Sequence, residues 1–259
     1  PTNELSEITR VDVRDIWSNE AQDFTPWIAA NLAVLGKELG MDLELLGTEA
    51  PIGSFSLDIL ARDVSRSGTV VIENQLTNTD HDHLGKLLTY AAGQDARSVI
   101  WLTREFRDEH RQALDWLNQR TDESTEFYGV EVEVFKIDES APAPHFKVVA
   151  SPNNWSKQTK TDTSHNLSPK AIKYRSFFQQ LIDELRDVHH FTAAKIGQPN
   201  SYYYFSGGHT AIKYGASFVL GSNARIELNI DGDKESNKRL FDNLEEIKSE
   251  LEEEFGESF

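Results

Sequence analysis

Two acidic residues stand inside segments that otherwise have the composition of buried β-strands. Asp58 interrupts the apolar run 57–60, and Glu73 directly follows the apolar run 70–72. The turn-forming sequence at 65–68 predicts that the two strands are adjacent. Two carboxylates at the centres of adjacent strands are costly to bury unless a divalent cation lies between them, because hard cations such as Mg²⁺ are held by one or two carboxylates plus waters. The fold must therefore bring both acids to one site.

Composition places the chain among globular proteins. It has 259 residues, of which 38% are hydrophobic, enough for one large domain or two small ones. It contains no cysteine, which excludes disulfides and cysteine-based zinc sites. Neither an apolar run of membrane-spanning length nor a secretory signal is visible, so we expect a cytoplasmic protein with no membrane partner.

The charge is unevenly distributed along the chain. The net charge of −17 argues against indiscriminate coating of DNA, although an acid-rich host would also explain it. Residues 151–230 carry nine cations and five acids, a balance of +4, whereas residues 231–259 are strongly acidic. Aromatic and basic residues are interleaved between Trp155 and Phe205, a pattern typical either of base stacking or of a core with a basic rim.

Apolar periodicity over the first 150 residues predicts the order helix, three strands, helix, strand, helix and two strands. The first helix is expected to begin at Thr25 as N-cap, with Pro26 at the first helical position, and to run to Leu39. The later elements are expected at 43–46, 55–61, 69–75, 79–93, 98–102, 108–118, 130–137 and 146–149. Strands joined by crossover helices imply an α/β protein with a mixed sheet flanked by helices.

The second part of the chain predicts a small α+β domain. The polar stretch 151–167 is interpreted as a linker between domains at 1–150 and 168–259. In the second domain we expect a helix at 168–188, strands at 202–205, 211–220 and 225–230, a turn at 206–209, and one closing helix at 234–255.

The element order, with acids on the second and third strands, resembles the core of the PD-(D/E)xK nuclease superfamily over about residues 15–140. Its RecB-type and mismatch-endonuclease branches carry Glu near the first helix, Asp on a strand, Glu-x-Lys on the next strand and Gln-x-x-x-Tyr on the following helix. The corresponding positions here are Glu20, Asp58, Glu73 to Gln75, and Lys86 to Tyr90. The whole chain also resembles a prokaryotic family, without established activity, that pairs such a restriction-endonuclease-like domain with a C-terminal domain of unknown function.

The resemblance implies a Mg²⁺- or Mn²⁺-dependent hydrolase that cuts phosphodiester bonds in DNA, in repair or in defence against foreign DNA. Asp58, Glu73 and the backbone carbonyl of Asn74 would bind the metal, and Glu20 would complete the acidic cluster. Lys86 and Tyr90, at i and i+4 on one helix, would approach the same phosphate. The bound metal would lower the pKa of a water and stabilise charge on the phosphate.

Two positions depart from the superfamily pattern in a reciprocal way. Gln75 replaces the strand lysine, and Lys86 replaces the helix glutamine. We hypothesise that the positive charge has moved from the strand to the helix, since the long lysine stem has the necessary reach, and that Gln75 positions water by hydrogen bonding.

Other interpretations remain open from sequence alone. Taken alone, Asp58 is also compatible with a buried acid satisfied by backbone donors, as buried polar groups generally are, although its combination with Glu73 and the strand order favours a site. A catalytically degenerate nuclease-fold module that binds nucleic acid or protein partners is the main alternative, an RNA-directed enzyme is another, and the sequence allows a homodimer. His81 and His83 are not expected to bind metal together, since residues at i and i+2 do not share a helix face.

Overall fold

The computed structural model describes residues 5–53, 55–122, 124–152, 167–219 and 223–255. Its main sheet has seven strands, which are β1 Ile8–Val11, β2 Leu43–Ile52, β3 Phe55–Asp63, β4 Gly68–Asn78, β5 Ser98–Glu105, β6 Glu126–Ile137 and β7 Ala143–Ala150. Their order across the sheet is β1-β6-β5-β4-β3-β2, with β7 also paired to β6. The parallel strands β4, β5 and β6 form its centre, and the remaining pairs are antiparallel.

Helices cover both faces of this sheet. On one face lie α1 (Val13–Ile16), a π-helix (Glu20–Phe24), α2 (Thr25–Ala30) and α3 (Leu32–Leu39), which bury Phe24, Ile28 and Leu35 against the sheet. On the other face lie α4 (His81–Gly93) and α5 (Asp108–Arg120), which bury Leu87 and Leu114. This arrangement confirms the predicted mixed α/β sheet flanked by helices.

The C-terminal part is built on a second, separate sheet. The sheet consists of the antiparallel strands β8 (Tyr202–His209), β9 (Ile212–Val219) and β10 (Asn223–Ile230). Helix α6 (Pro169–Asp187) packs on β8 and β9, and α7 (Lys234–Glu246) and α8 (Lys248–Phe255) follow β10. Its small core includes Phe178, Ile182 and Tyr203. The predicted small α+β architecture is therefore confirmed.

A buried polar contact joins the two parts. The carboxylate of Asp42 accepts hydrogen bonds from Thr192 Oγ1 (2.5 Å) and from the backbone N–H of Ala193 (2.8 Å). Burial raises the pKa of Asp42, while these two donors lower it. The predicted domain limits stay a prediction, because a contact between the two parts does not show whether each part folds independently. Most of the predicted linker lies outside the described residues.

Several predicted boundaries were wrong for local physical reasons. Thr25 is not an N-cap, because the helical path already begins at the π-helix, where the side chain of Asn19 accepts from Gln22 N–H (2.9 Å). The path is interrupted at Asn31, which separates α2 from α3. The single closing helix is broken at Ile247, and the turn expected at 206–209 belongs to β8.

Two further short elements, β1 and α1, precede the region where the sequence predicts the first helix. None of the described helices combines the length and the apolar composition that a membrane span requires.

Candidate active site

Asp58 and Glu73 lie where two paired strands separate. The antiparallel register of β3 with β4 extends to the pair of Ile59 and Ile72, and the two acids are the next residues on their strands. Beyond this pair, the carboxylate of Asp58 replaces a backbone carbonyl of β3 and accepts a hydrogen bond from the backbone N–H of Asn74 at 2.8 Å. A side chain thus satisfies a strand N–H at the fork, and both acids are held at the resulting opening.

The carboxylate of Glu73 is the least solvated member of this arrangement. Glu73 is 1% exposed, and its Oε2 atom is buried without a hydrogen-bond partner among the described residues. Burial raises its pKa to about 8, the charge of Asp58 contributes to the rise, and Lys86 opposes it. Burial likewise raises the pKa of Asp58 to about 6, against the opposing hydrogen bond from Asn74. The site therefore holds two carboxylates in an environment that disfavours their charged forms.

Glu20 reaches the same strand from the helical layer. Its Oε2 atom accepts the backbone N–H of Leu76 on β4 at 2.6 Å. Beside it, Asn74 Nδ2 donates to Thr25 Oγ1 at 2.9 Å, so that two bonds fix the start of the helical layer to β4. The charge of Glu20 raises the pKa values of both Asp58 and Glu73. We refer to Glu20, Asp58 and Glu73 as the carboxylate cluster.

Two members of the carboxylate cluster, Asp58 and Glu73, provide oxygen ligands suited to a hard divalent cation. The Oε2 atom of Glu73 is buried without a hydrogen-bond partner among the described residues, which leaves it available as an oxygen ligand next to Asp58. Within the described ranges, three or more acidic, His or Cys side chains do not gather closely enough to form a ligand set. Because Mg²⁺ is commonly held by one or two carboxylates with waters, the pair is sufficient.

Asn74 is fixed by its neighbours on both sides. Its backbone N–H and its Nδ2 group are both engaged, whereas its Oδ1 atom is buried and without a partner in the described part of the chain. The metal role expected of its backbone carbonyl stays a prediction.

Gln75 is held by a hydrogen-bond network within the protein. It is 1% exposed, and its Nε2 group donates to Thr77 Oγ1, the carbonyl of Asn78 and Asp80 Oδ2, at 2.9–3.3 Å. Its Oε1 atom accepts from Trp101 Nε1 at 2.8 Å. Both the Nε2 and the Oε1 atoms of the amide are engaged in hydrogen bonds within the protein. This geometry does not support the expected role of Gln75 in positioning water.

Lys86 approaches the carboxylate cluster from α4. Its Nζ atom lies 3.5 Å from Oε1 of Glu73, and the side chain remains 43% exposed. Its charge lowers the pKa values of both Glu73 and Asp58. The structure therefore brings the helix lysine to the position where the sequence hypothesis requires a positive charge.

Tyr90 contributes an anchor to the site. It is 1% exposed, and its hydroxyl donates to the carbonyl of Ser56 on β3 at 2.8 Å. Burial and the charges of Glu73 and Asp58 raise its pKa to about 12. The expectation that Tyr90 approaches a phosphate beside Lys86 conflicts with this burial, and its visible role is to hold α4 against β3.

A histidine contact beside the site was not apparent in the sequence. Buried His110 on α5 places Nδ1 2.7 Å from Thr79 Oγ1 and Nε2 2.9 Å from Nδ1 of His81. Burial and the neighbouring charges of His81 and Arg107 lower the pKa of His110. His81 and His110 are 29 residues apart, so no local spacing signals their contact.

The fold and the site together define a mixed α/β protein with an acidic cluster at a strand fork. Residues 173–259 match the model of a domain of unknown function, DUF4268. No curated protein matches the chain in sequence.

Two solved structures are similar to part of the chain. A repair endonuclease from Pyrococcus abyssi is 18% identical, with a TM-score of 0.33 over 44% of this chain and 47% of that one. An EndoMS–dsDNA complex is 22% identical, with a TM-score of 0.29 over 39% of this chain and 44% of that one. The matched regions thus span less than half of either relative.

Proposed function

We propose that the carboxylate cluster is the centre of a metal-dependent nuclease that hydrolyses phosphodiester bonds in DNA. The observation that supports this most directly is the buried carboxylate of Glu73, with its unpartnered Oε2 atom beside Asp58. Leaving such a pair uncompensated destabilises the fold, and strongly shifted acids of this kind concentrate at functional sites. A structural explanation would require donors to both oxygens of Glu73, and the described residues supply none to Oε2.

The residues would divide the work as follows. Asp58 and Glu73 would hold Mg²⁺ or Mn²⁺, with Glu20 acting through water because its Oε2 atom already accepts from Leu76. When bound, the cation would lower the pKa of a water and stabilise negative charge on the phosphate. Asp58 would at the same time keep its bond to the Asn74 N–H, which fixes the direction of its carboxylate.

Lys86 would provide the positive charge that the strand position lacks. Its ammonium has three donors and lies within reach of Glu73, so it can orient a water or neutralise a phosphate oxygen at the cluster. Because it is partly exposed, it can follow the substrate as the substrate enters.

The proposed setting is DNA repair or defence against foreign DNA, with DNA as the nucleic-acid partner. It follows from the PD-(D/E)xK-like order of the cluster along the chain, Glu20, Asp58, Glu73, on the elements where that superfamily carries its acids. RNA is the competing substrate, because the carboxylate cluster itself does not distinguish the two sugars.

The test is cleavage of labelled double-stranded DNA, single-stranded DNA and RNA in Mg²⁺ or Mn²⁺, compared with EDTA. We expect metal-dependent cleavage of DNA by the parent protein and its loss in Asp58→Asn and Glu73→Gln. Asp95→Asn is the matched control, because Asp95 is exposed and its φ of 47° lies in the left-handed region that Asn tolerates. Cleavage that persists in both cluster variants would disprove the assignment.

A second candidate is a nuclease-fold module without activity, supported by the engagement of Gln75 inside the protein. Thermal unfolding separates the two candidates. A metal-binding site predicts that Mn²⁺ raises the Tm of the parent but not that of Glu73→Gln, because a ligand that binds only the folded state stabilises it. The absence of any Tm change in the parent would favour the inactive module.

A further inference from the structure

An aromatic groove lies on the C-terminal part of the protein, and the described residues that line it fall between 168 and 219. It has a volume of about 1300 Å³ and runs between the first half of α6 and the end of β9. Its walls include Tyr174, Phe177 and Phe218, and Lys170 and Lys173 stand among the residues that line it. None of the described residues that line it belongs to the carboxylate cluster.

The aromatic side chains form a partly open stack. The rings of Tyr174 and Phe218 are 5.2 Å apart at an interplanar angle of 24°, and Phe177 meets Phe218 edge-on at 4.8 Å. Phe177 is 43% exposed, in contrast to Phe178, which is fully buried in the core beneath. The ring of Phe177 is therefore an apolar surface that the fold leaves in contact with solvent, next to an ordered stack.

The charge of the groove is positive within a strongly acidic protein. No acid is among the described residues that line it, and Lys170 Nζ lies 5.5 Å from the centroid of the Tyr174 ring. The acids of α6 are Asp183, Glu184 and Asp187. With a rise of 1.5 Å per residue, they lie about 15 Å or more from Lys173 along the helix axis. In a chain of net charge −17, this local pattern is complementary to a polyanion with flat apolar faces.

We propose that this groove binds single-stranded nucleic acid, with bases stacked on Phe177 and its aromatic neighbours and with the phosphates beside Lys170 and Lys173. Stacking of bases on aromatic side chains, combined with a basic track for the backbone, is the usual physics of sequence-tolerant single-strand binding. The groove would give the domain a binding function of its own, beyond the hydrolysis proposed for the carboxylate cluster.

Binding is measured with the full chain in EDTA, which prevents metal-dependent cleavage. The probe is a fluorescein-labelled oligothymidylate of about 12 nucleotides, within the range of site sizes known for single-strand binders. Fluorescence anisotropy should show saturable binding that weakens as salt increases. Phe177→Ala should reduce the affinity by about tenfold or more, the effect of losing one stacked base. Lys173→Glu should also weaken binding and flatten the salt dependence.

The controls remove the same groups elsewhere. Trp116→Ala deletes an exposed aromatic ring on α5, and Lys234→Glu makes the same charge change at the start of α7. Both should bind as the parent does. Because binding is measured in EDTA, the result does not depend on the hydrolysis proposed for the carboxylate cluster.

The proposal is overturned if the parent shows no saturable binding of the oligonucleotide. It is also overturned if Lys173→Glu, a change at an exposed position, binds with the parent's affinity and salt dependence. A preference for duplex over single-stranded DNA would contradict it as well, because the bases of a duplex are not available to stack on Phe177.

Discussion

The ammonium group of Lys86 lies 3.5 Å from Oε1 of Glu73, which links α4 to the central strand β4 across the opening between β3 and β4. The pair is asymmetric, because Glu73 is almost fully buried while Lys86 is 43% exposed. An exposed lysine contributes little to stability through such a pair. Its position matters more for what it can offer to a molecule that enters the site.

The first prediction concerns the charge of Lys86. Lys86→Ala should reduce the rate of metal-dependent DNA cleavage by about 100-fold or more, which is typical when one preorganised electrostatic group is lost. The measurement is single-turnover cleavage at saturating Mg²⁺. Lys234→Ala, which removes a lysine far from the site, should cleave at the parent's rate. Full activity in Lys86→Ala would show that the positive charge has not moved to the helix.

A second prediction follows from the hydrogen bonds of Gln75. Gln75→Ala should lower the free energy of unfolding by about 1–3 kcal/mol. The substitution removes the buried hydrogen bond from Trp101 Nε1 and the partly buried hydrogen bond to Asp80. Urea unfolding measures the change, with Gln180→Ala on the exposed side of α6 as the control. An unchanged midpoint would mean that the network around Gln75 is not structural.

The third prediction is a pH dependence of stability in the metal-free protein. The folded-state pKa values of Glu73 and Asp58, about 8 and about 6, lie above their ordinary values of 4.5 and 3.8. Between those limits the folded state binds protons that the unfolded state has released, so stability falls as pH rises from about 4 to about 8.

Urea unfolding in EDTA at pH 5 and pH 8 measures this dependence. Glu73→Gln should unfold with a smaller difference between the two pH values than the parent, since it carries no titrating group at the most strongly shifted position. Equal differences in the two proteins would place the pH dependence elsewhere in this acidic chain.

A fourth prediction tests the anchoring role of Tyr90. Tyr90→Phe removes only the hydroxyl that donates to Ser56, and it should lower the free energy of unfolding by about 1 kcal/mol. Cleavage by the folded variant should remain within a few-fold of the parent, because the buried hydroxyl does not face the substrate. A loss of activity comparable to that of Lys86→Ala, at unchanged stability, would instead assign Tyr90 to the chemistry.

The sequence predicted the strands that carry the site, because a run of apolar residues is a local property, and an acid inside or directly after such a run is visible in the sequence. It did not predict the π-helix, where Glu20 is tied to Leu76 at a distance of 56 residues along the chain. Nor did it predict the environment of Gln75, which depends on a bond to Trp101 on the neighbouring strand. Contacts of this kind are set by how the elements pack, so local patterns do not reveal them.

The roles of the tyrosine and the lysine on α4 separate for the same reason. Both lie on one helix at i and i+4, and the sequence therefore assigns them to one face. The crossing of α4 over β3 and β4 directs Tyr90 into the core and leaves Lys86 at the opening. The two side chains differ in how deeply they are buried, and the spacing of residues along a helix does not predict burial depth.

With the proposed function, the fork between β3 and β4 implies a trade-off between stability and activity. At this point the fold keeps two buried oxygens without partners in the described region, Glu73 Oε2 and Asn74 Oδ1, close to carboxylates whose charged forms are disfavoured. Substitutions that fill or neutralise the opening are expected to raise the free energy of unfolding and to lower the proposed activity. Selection for thermal tolerance alone would therefore erode this site first.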